Sequence, residues 1–125
     1  MVKMLTPHFS EAEFACSCKR PDCDAAPMKP EFLAKLEALR VKWGKPMTPT
    51  SGRRCKKHNT DEGGAKYSQH LFGNAADFYL SSPDERDRFA LLAVAVGFTG
   101  IGRGLGKSCL VHIDNRRNSV RWTYS

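Results

Sequence analysis

His70 and Asp77 fall within one short run, Ser68 to Asp77, and His112 sits inside a second, Leu110 to Asp114, near the C-terminus. Two imidazoles and one carboxylate are the ligand types that a catalytic zinc accepts while keeping one position open for water. They leave the ion more Lewis-acidic than thiolates would, so that a bound water loses its proton near neutral pH and attacks a carbonyl. The set points to hydrolysis. Taken singly, the residues read better as a surface histidine in a turn, an aspartate ending a loop and a buried histidine on a strand, and the constellation alone carries the metal reading. Gly73 permits a backbone turn between the first two ligands, and Ala75 and Ala76 are expected to leave room beside the metal for a substrate.

These side chains need elements to hold them. Ala75 to Leu80 reads as a strand carrying Asp77, and Leu110 to Asp114 as a strand carrying His112. Side chains two apart on a strand share a face, so His112 and Asp114 should point together, away from Val111 and Ile113. Asp114 is then placed to hold the attacking water, to orient a ligand histidine or to pair with an arginine. Met47 to Thr50 is expected to form a further strand, and Val120 to Thr123 another. Ser10-Glu-Ala-Glu13 carries a capping-box signature opening a short helix through Phe14. Pro30 suits a helix N1 position, with Phe32, Leu36, Leu39 and Trp43 at helical spacing up to Gly44. Ser82-Pro83-Asp84-Glu85 opens another helix, with Phe89, Leu92 and Val96 on its apolar side. Glycines 100, 102, 104 and 106 mark tight connections. The sum is an α+β chain, a small antiparallel sheet with helices packed on one side, and its 125 residues suit one domain spanning 1–125.

In order along the chain stand Ser51-Gly52-Arg53-Arg54, His58-Asn59, Gly63-Gly64-Ala65, Ser68 with His70, Gly73, Ala75 and Asp77, His112 with Asp114, and Arg121-Trp122. This succession resembles the zinc D-Ala-D-Ala carboxypeptidase family, which includes bacterial cell-wall carboxypeptidases and phage endolysins and shares its fold with the hedgehog signalling domain. The likeness runs from about Phe9 to Tyr124. It implies a zinc peptidase acting on peptidoglycan stem peptides, at either a D-Ala-D-Ala or an L-Ala-D-Glu bond, between which the residues do not choose. It implies His70, Asp77 and His112 as zinc ligands, Arg54 as the guanidinium that grips the substrate, often at a terminal carboxylate, and Ser68 as a substrate contact. A planar guanidinium fork bonds a carboxylate twice, which a lysine cannot imitate. Hydroxyls ahead of a turn also serve as plain caps, so Ser68 keeps both readings.

The chain departs from better-known relatives at one place. Many carry a glutamate three residues before the final histidine ligand, as general base, and here that residue is Cys109. A metal-activated water still needs a proton acceptor. Asp114 is the first candidate, and Asp61 and Glu62 could approach from the preceding loop. A salt bridge with Arg116 or a hydrogen bond to a ligand is the competing account of Asp114. Arg53 is expected to point away to the surface, Trp122 and Tyr124 to form core or pocket wall, and His58 to stabilise a loop.

Cys16, Cys18 and Cys23 cluster, while Cys55 follows Arg54. Met1 to Ser10 lacks the apolar core of a signal peptide, and no apolar run approaches membrane-spanning length. Synthesis in a reducing cytoplasm is therefore expected, with action at the bacterial wall after release through a lesion made by another protein. In that compartment a structural zinc on Cys16, Cys18, Cys23 and Cys55, free thiols, or a late disulfide all remain open.

Twenty Lys and Arg against thirteen Asp and Glu give a formal charge of +7, which favours polyanionic surroundings such as wall polymers. Arg103, Lys107, Arg116, Arg117 and Arg121 concentrate it, and a solvated basic face accounts for them as well as a binding surface does. The expected protein is a monomer with a peptidoglycan peptide as substrate, no specific nucleic acid and no membrane insertion. Two rivals stand beside it. One is a zinc-containing wall-binding module without catalysis, favoured by the missing glutamate. The other is a basic nucleic-acid-binding protein, weakened because aromatics are not interleaved with the basic residues as stacking platforms.

Overall fold

The computed structural model describes residues 2–18 and 20–124. Four strands form one sheet: β1 (Ala75–Tyr79), β2 (Gly100–Gly104), β3 (Leu110–Asp114) and β4 (Val120–Tyr124), in the spatial order β1-β3-β2-β4. The first three pair antiparallel, as expected, but β4 runs parallel to β2, so the sheet is mixed. Helices α1 (Pro30–Trp43) and α3 (Pro83–Ala95) cover one face, with α3 against β2 and β3 and α1 against α3. A short helix, α2 (Lys56–Asp61), and 3-10 turns at Glu11–Phe14 and Gln69–Phe72 complete the chain. No helix among the described residues is long and apolar enough to cross a membrane.

The two long helices begin and end where the sequence marks them. Pro30 and Pro83 supply preset φ angles at the first turn, where a missing N–H costs nothing. The Ser82 hydroxyl accepts a 3.1 Å hydrogen bond from the Glu85 N–H. Gly44 closes α1 in the left-handed region at φ 76°. Phe32, Leu36, Leu39 and Phe89 are fully buried, and Phe89 lies between Trp43 and Phe78, with ring centroids 5.2 and 5.3 Å away. Truncating such a ring to alanine costs about 3–5 kcal/mol.

Strand alternation splits the sheet into two chemistries. Ala76, Phe78, Ile101, Val111 and Ile113 belong to the core under the helices. Asp77, His112, Gly102 and Trp122 are successive register partners across all four strands, so they form one rung on the opposite face. Ala75, Asp114, Gly100 and Val120 form the neighbouring rung. Ala76, expected beside the metal, instead faces the core opposite Ile113, because its position has the opposite parity to Asp77.

Two expectations give way to a different arrangement. The glycines at 100, 102 and 104 are a strand, not a series of turns. A Cβ at Gly100 would stand 2.0 Å from an Asp114 carboxylate oxygen, and one at Gly102 would stand 2.5 Å from the Trp122 indole. The strand is built of glycine because neighbouring side chains lie across it. Met47 to Thr50 forms no strand. Pro46 and Pro49 donate no N–H to a ladder, and the segment meets β1 at the isolated bridge of Ser51 with Asp77, where the Thr50 hydroxyl also donates to the Asp77 carbonyl oxygen at 3.2 Å.

Candidate active site

His70 is presented by the 3-10 turn Gln69–Phe72, which the Ser68 hydroxyl caps by accepting from the His70 N–H at 3.3 Å. Gly73 ends that turn at φ 66°, and a Cβ there would stand 1.9 Å from the Pro27 carbonyl oxygen, so the turn expected of this glycine is required. The turn sets His70 over β1, facing Asp77, while β3 brings His112 alongside. Ligand atoms of the three residues all lie within 4.8 Å of one another. His70 and His112 are buried, and the rings stand 5.2 Å apart by centroid.

The hydrogen bonds around the triad say what it can hold. His70 Nδ1 lies 2.7 Å from the Gly52 carbonyl oxygen, which only accepts, so that nitrogen carries the proton. His70 Nε2 therefore turns a lone pair toward Asp77 Oδ2, 3.2 Å away. Two lone pairs at that distance repel unless a proton or a cation lies between them. His112 has Nδ1 2.8 Å from Asp77 Oδ1 and Nε2 2.8 Å from Asp114 Oδ2. Both contacts are satisfied by a doubly protonated ring, or by a ring with a cation replacing the Nδ1 proton. Nitrogen and carboxylate donors converging in this way, each imidazole fixed from behind by an oxygen acceptor, fit a zinc ion.

The electrostatics follow from the same contacts. Burial opposes ionisation of Asp77, but hydrogen bonds from His112 and His70, with their charges, outweigh it and hold the carboxyl well below the usual carboxylate range. Burial also disfavours charge on His112, yet hydrogen bonds to Asp114 and Asp77 prevail and raise its pKa. Asp114 is pushed the other way from its burial, down to about 2, first by hydrogen bonds from Arg116 and then by His112.

Asp114 does not occupy the place of a proton shuttle. Its side chain is fully buried, with Oδ2 taken by His112 Nε2 and by Arg116 Nη2 at 2.5 Å. Oδ1 accepts from the Arg116 N–H and from Nε at 3.1 and 2.8 Å. The carboxylate stands behind the imidazole, on the side away from Asp77. Strand parity placed it on the correct face, and its two oxygens are spent on the other expected roles, orienting a histidine and pairing with an arginine. Arg116 is thus no solvated face residue, and its guanidinium packs on the Trp122 ring at 4.9 Å. Asp61 pairs with Arg20 at 2.9 Å, and neither it nor Glu62 lines the hollow beside the triad. Cys109 also lies outside that hollow, its thiol 3.5 Å from the Lys107 carbonyl oxygen.

A hollow of about 450 Å³ opens over His70, Asp77 and His112 and is walled by Arg54, Ser68, Arg116, Trp122 and Tyr124, among others. Trp122 and Tyr124 are therefore pocket wall. Arg54 reaches the rim with Nη2 3.9 Å from Asp77 Oδ2. Its Nη1 donates to Asn59 Oδ1 and its Nη2 to Ser51 Oγ, both at 3.1 Å, while its buried Nε has no partner. Asn59, buried in α2, donates in turn to the Ala65 carbonyl oxygen at 2.8 Å. A Cβ at Gly64 would meet the Asn59 amide oxygen at 2.1 Å, so the Gly63-Gly64-Ala65 run serves the close approach that steadies Arg54. Arg53 is not a surface residue. It donates to the Ala25 and Ala26 carbonyl oxygens at 2.6 and 2.8 Å and pins the segment before α1. His58, placed in α2 with Nε2 3.9 Å from Glu62, lies outside the triad, as expected.

Asn59 and the Gly52 carbonyl are the supporting groups that residue types alone do not single out, whereas the Arg116 pairing with Asp114 is the one expected. Both lie inside motif runs, the one signal the sequence offers for them. A second hollow, about 680 Å³, adjoins the first and shares Arg54, Gly64 and Tyr67 with it.

Comparison with curated proteins returns no match. Comparison with family models returns one, described as Peptidase M15, over residues 7–114. That span takes in both histidines, Asp77, Arg54 and the four clustered cysteines, and the chain belongs to the peptidase M15 family, the zinc D-Ala-D-Ala carboxypeptidase family of metallopeptidases.

Proposed function

We propose that the protein hydrolyses peptide bonds in the stem peptides of peptidoglycan, as a small zinc peptidase of the phage endolysin type acting at the bacterial wall. The observation that carries this reading is the convergence of His70 Nε2, Asp77 and His112 Nδ1 at the floor of an open hollow with Arg54 on its rim. A zinc ion held there would polarise a scissile carbonyl and acidify water.

The chain's own groups supply orientation and charge. Gly52 fixes the His70 tautomer, and Asp114, held by Arg116, fixes the His112 ring. Arg54 presents a guanidinium steadied by Asn59 and Ser51, suited to a substrate carboxylate at the rim. Trp122 and Tyr124 offer flat apolar walls for the peptide, and the adjoining larger hollow offers space for more of it. The formal charge of +7 supports attraction to anionic wall polymers.

One observation favours a second reading. Among the described residues that line the hollow, Asp77 is the only carboxylate and the triad supplies the only imidazoles. A wall-binding module that holds zinc without turnover needs no further proton acceptor. Incubation with purified peptidoglycan, with and without chelator, separates the two. Hydrolysis yields new termini by mass spectrometry that vanish with chelator and return with zinc, and the fragment masses identify the bond. Zinc-dependent pelleting with the wall but no new termini would establish the binding module instead.

A further inference from the structure

Away from the triad, four thiols converge. Cys16 and Cys18 come from the segment after the first 3-10 turn, Cys23 from the loop beyond it, and Cys55 from the start of α2. Their sulfurs all lie within 4.8 Å of one another, and Cys16 Sγ stands 3.8 Å from Cys55 Sγ. A disulfide needs about 2.05 Å. A tetrahedron of sulfurs each about 2.3 Å from a zinc ion has edges of about 3.8 Å. We infer that Cys16, Cys18, Cys23 and Cys55 form a second, structural zinc site, distinct from the histidine and aspartate triad.

Three further observations agree with thiolate ligands. Cys55 is buried and caps α2, a place usually taken by an oxygen-bearing side chain, with its sulfur accepting from the His58 N–H at 3.4 Å. Cys16 Sγ accepts from the Cys55 N–H at 3.4 Å. Such N–H donors favour the charged form of sulfur, as outer contacts do at metal centres. A tetrathiolate zinc carries a net charge of about −2, and Arg20, Lys56 and Lys57 outnumber Asp22 and Asp24 in the hollow they line with Cys23 and Cys55.

The surroundings show what such an ion would join. The Arg53 N–H donates to the Phe14 carbonyl oxygen at 2.8 Å, the Arg53 side chain holds Ala25 and Ala26, and Arg20 reaches Asp61 at 2.9 Å. The cysteine cluster lies within this frame, so its zinc would fasten the N-terminal segment to residues 51–55. Those residues present the Gly52 carbonyl and Arg54 to the active site. The assignment does not rest on peptidase activity.

Metal content and cobalt spectra test it on the full chain, purified in reductant. In the H70A/H112A variant, one equivalent of zinc should remain, and cobalt in its place should show intense sulfur-to-cobalt absorption in the near ultraviolet. Wild-type protein loaded with cobalt should show the same band, so the result does not depend on the variant folding. C16S/C23S should lose that band and one equivalent of metal while keeping the other. An absent sulfur-to-cobalt band in loaded wild type, or a chain mass showing a disulfide among these cysteines in reductant, overturns the site.

Discussion

The two ligand clusters of this molecule are assembled in opposite ways. The triad draws two of its three residues from adjacent paired strands, and its imidazoles are locked by a backbone carbonyl and a buried carboxylate. The thiol cluster draws three of its four residues from irregular chain and the fourth from a helix cap. In the first, the sheet fixes the donors before any ion arrives, which leaves the ion free for chemistry at an open face. In the second, irregular loops are held by a few hydrogen bonds from Arg53 and Arg20, so a metal there would add to folding. A sheet-built cluster and a loop-built cluster sit side by side, linked through residues 51–55.

The largest effect should come from the preformed cluster. His112→Ala should lower peptidoglycan hydrolysis by on the order of 10³-fold or more, since metal-ion catalysis supplies several kcal/mol of transition-state stabilisation. Its melting temperature should fall little, because the sheet persists without the ligand; a collapse of the fold measured by circular dichroism would erase the contrast drawn above.

Asp114→Asn sharpens the same point. As a positioning group, Asp114 should cost about 10–100-fold in zinc affinity when neutralised, and saturating zinc should restore most of the activity. A proton shuttle behaves differently, because its loss persists at any zinc concentration. Titration of activity against free zinc distinguishes them.

Arg54→Lys keeps the charge and removes the fork. Loss of a charged hydrogen bond worth about 1.5–3 kcal/mol should reduce kcat/KM about tenfold to a hundredfold. Zinc content should be unchanged, and a substrate lacking the gripped carboxylate should show no difference between variant and wild type.

The smallest effect concerns the N-terminal segment that precedes the thiol cluster in the chain. Glu37 on α1 accepts from Thr6 Oγ1 at 2.7 Å and from the His8 N–H at 3.0 Å, and its other oxygen lies 2.5 Å from the His8 ring. Burial works against the charge, but these bonds from Thr6 and His8 win and hold the carboxyl below its ordinary value of 4.5. The folded chain thus binds this proton less tightly than the unfolded one, so the stabilisation is full above pH 4.5 and is lost as pH falls through the depressed value. Glu37→Gln should lower the melting temperature at neutral pH by about 3–6 °C, with the gap from wild type narrowing in acid. A constant gap across that range would remove Glu37 as the source.

The sequence exposed what repeats and what caps. Helices α1 and α3 were legible because proline, serine and glycine mark their ends and aromatic and aliphatic residues recur between them. The faces of β3 followed from parity alone, as did the shared side of His112 and Asp114. Reach did not follow. Parity cannot say that Asp114 meets the far nitrogen of the ring and is closed off by Arg116. Strand β2 was hidden because its alternate glycines mimic a turn, and their reason lies in side chains distant in sequence, Asp114 and Trp122. Helix α2 is too short and too polar for a period to show. Arg53 was misplaced because its partners are backbone carbonyls, which no residue type announces.

The edge position of β4 separates what the site does from what it accepts. Among the described residues its only sheet neighbour is β2, and its residues are mostly exposed, yet Trp122 and Tyr124 form one flank of the hollow. Exchanges along this border strand would reshape the cleft while the inner strands, and the donors they carry, stay where they are. A lineage of such chains could thus change its preferred peptide through residues 120–124 without renegotiating the reaction itself.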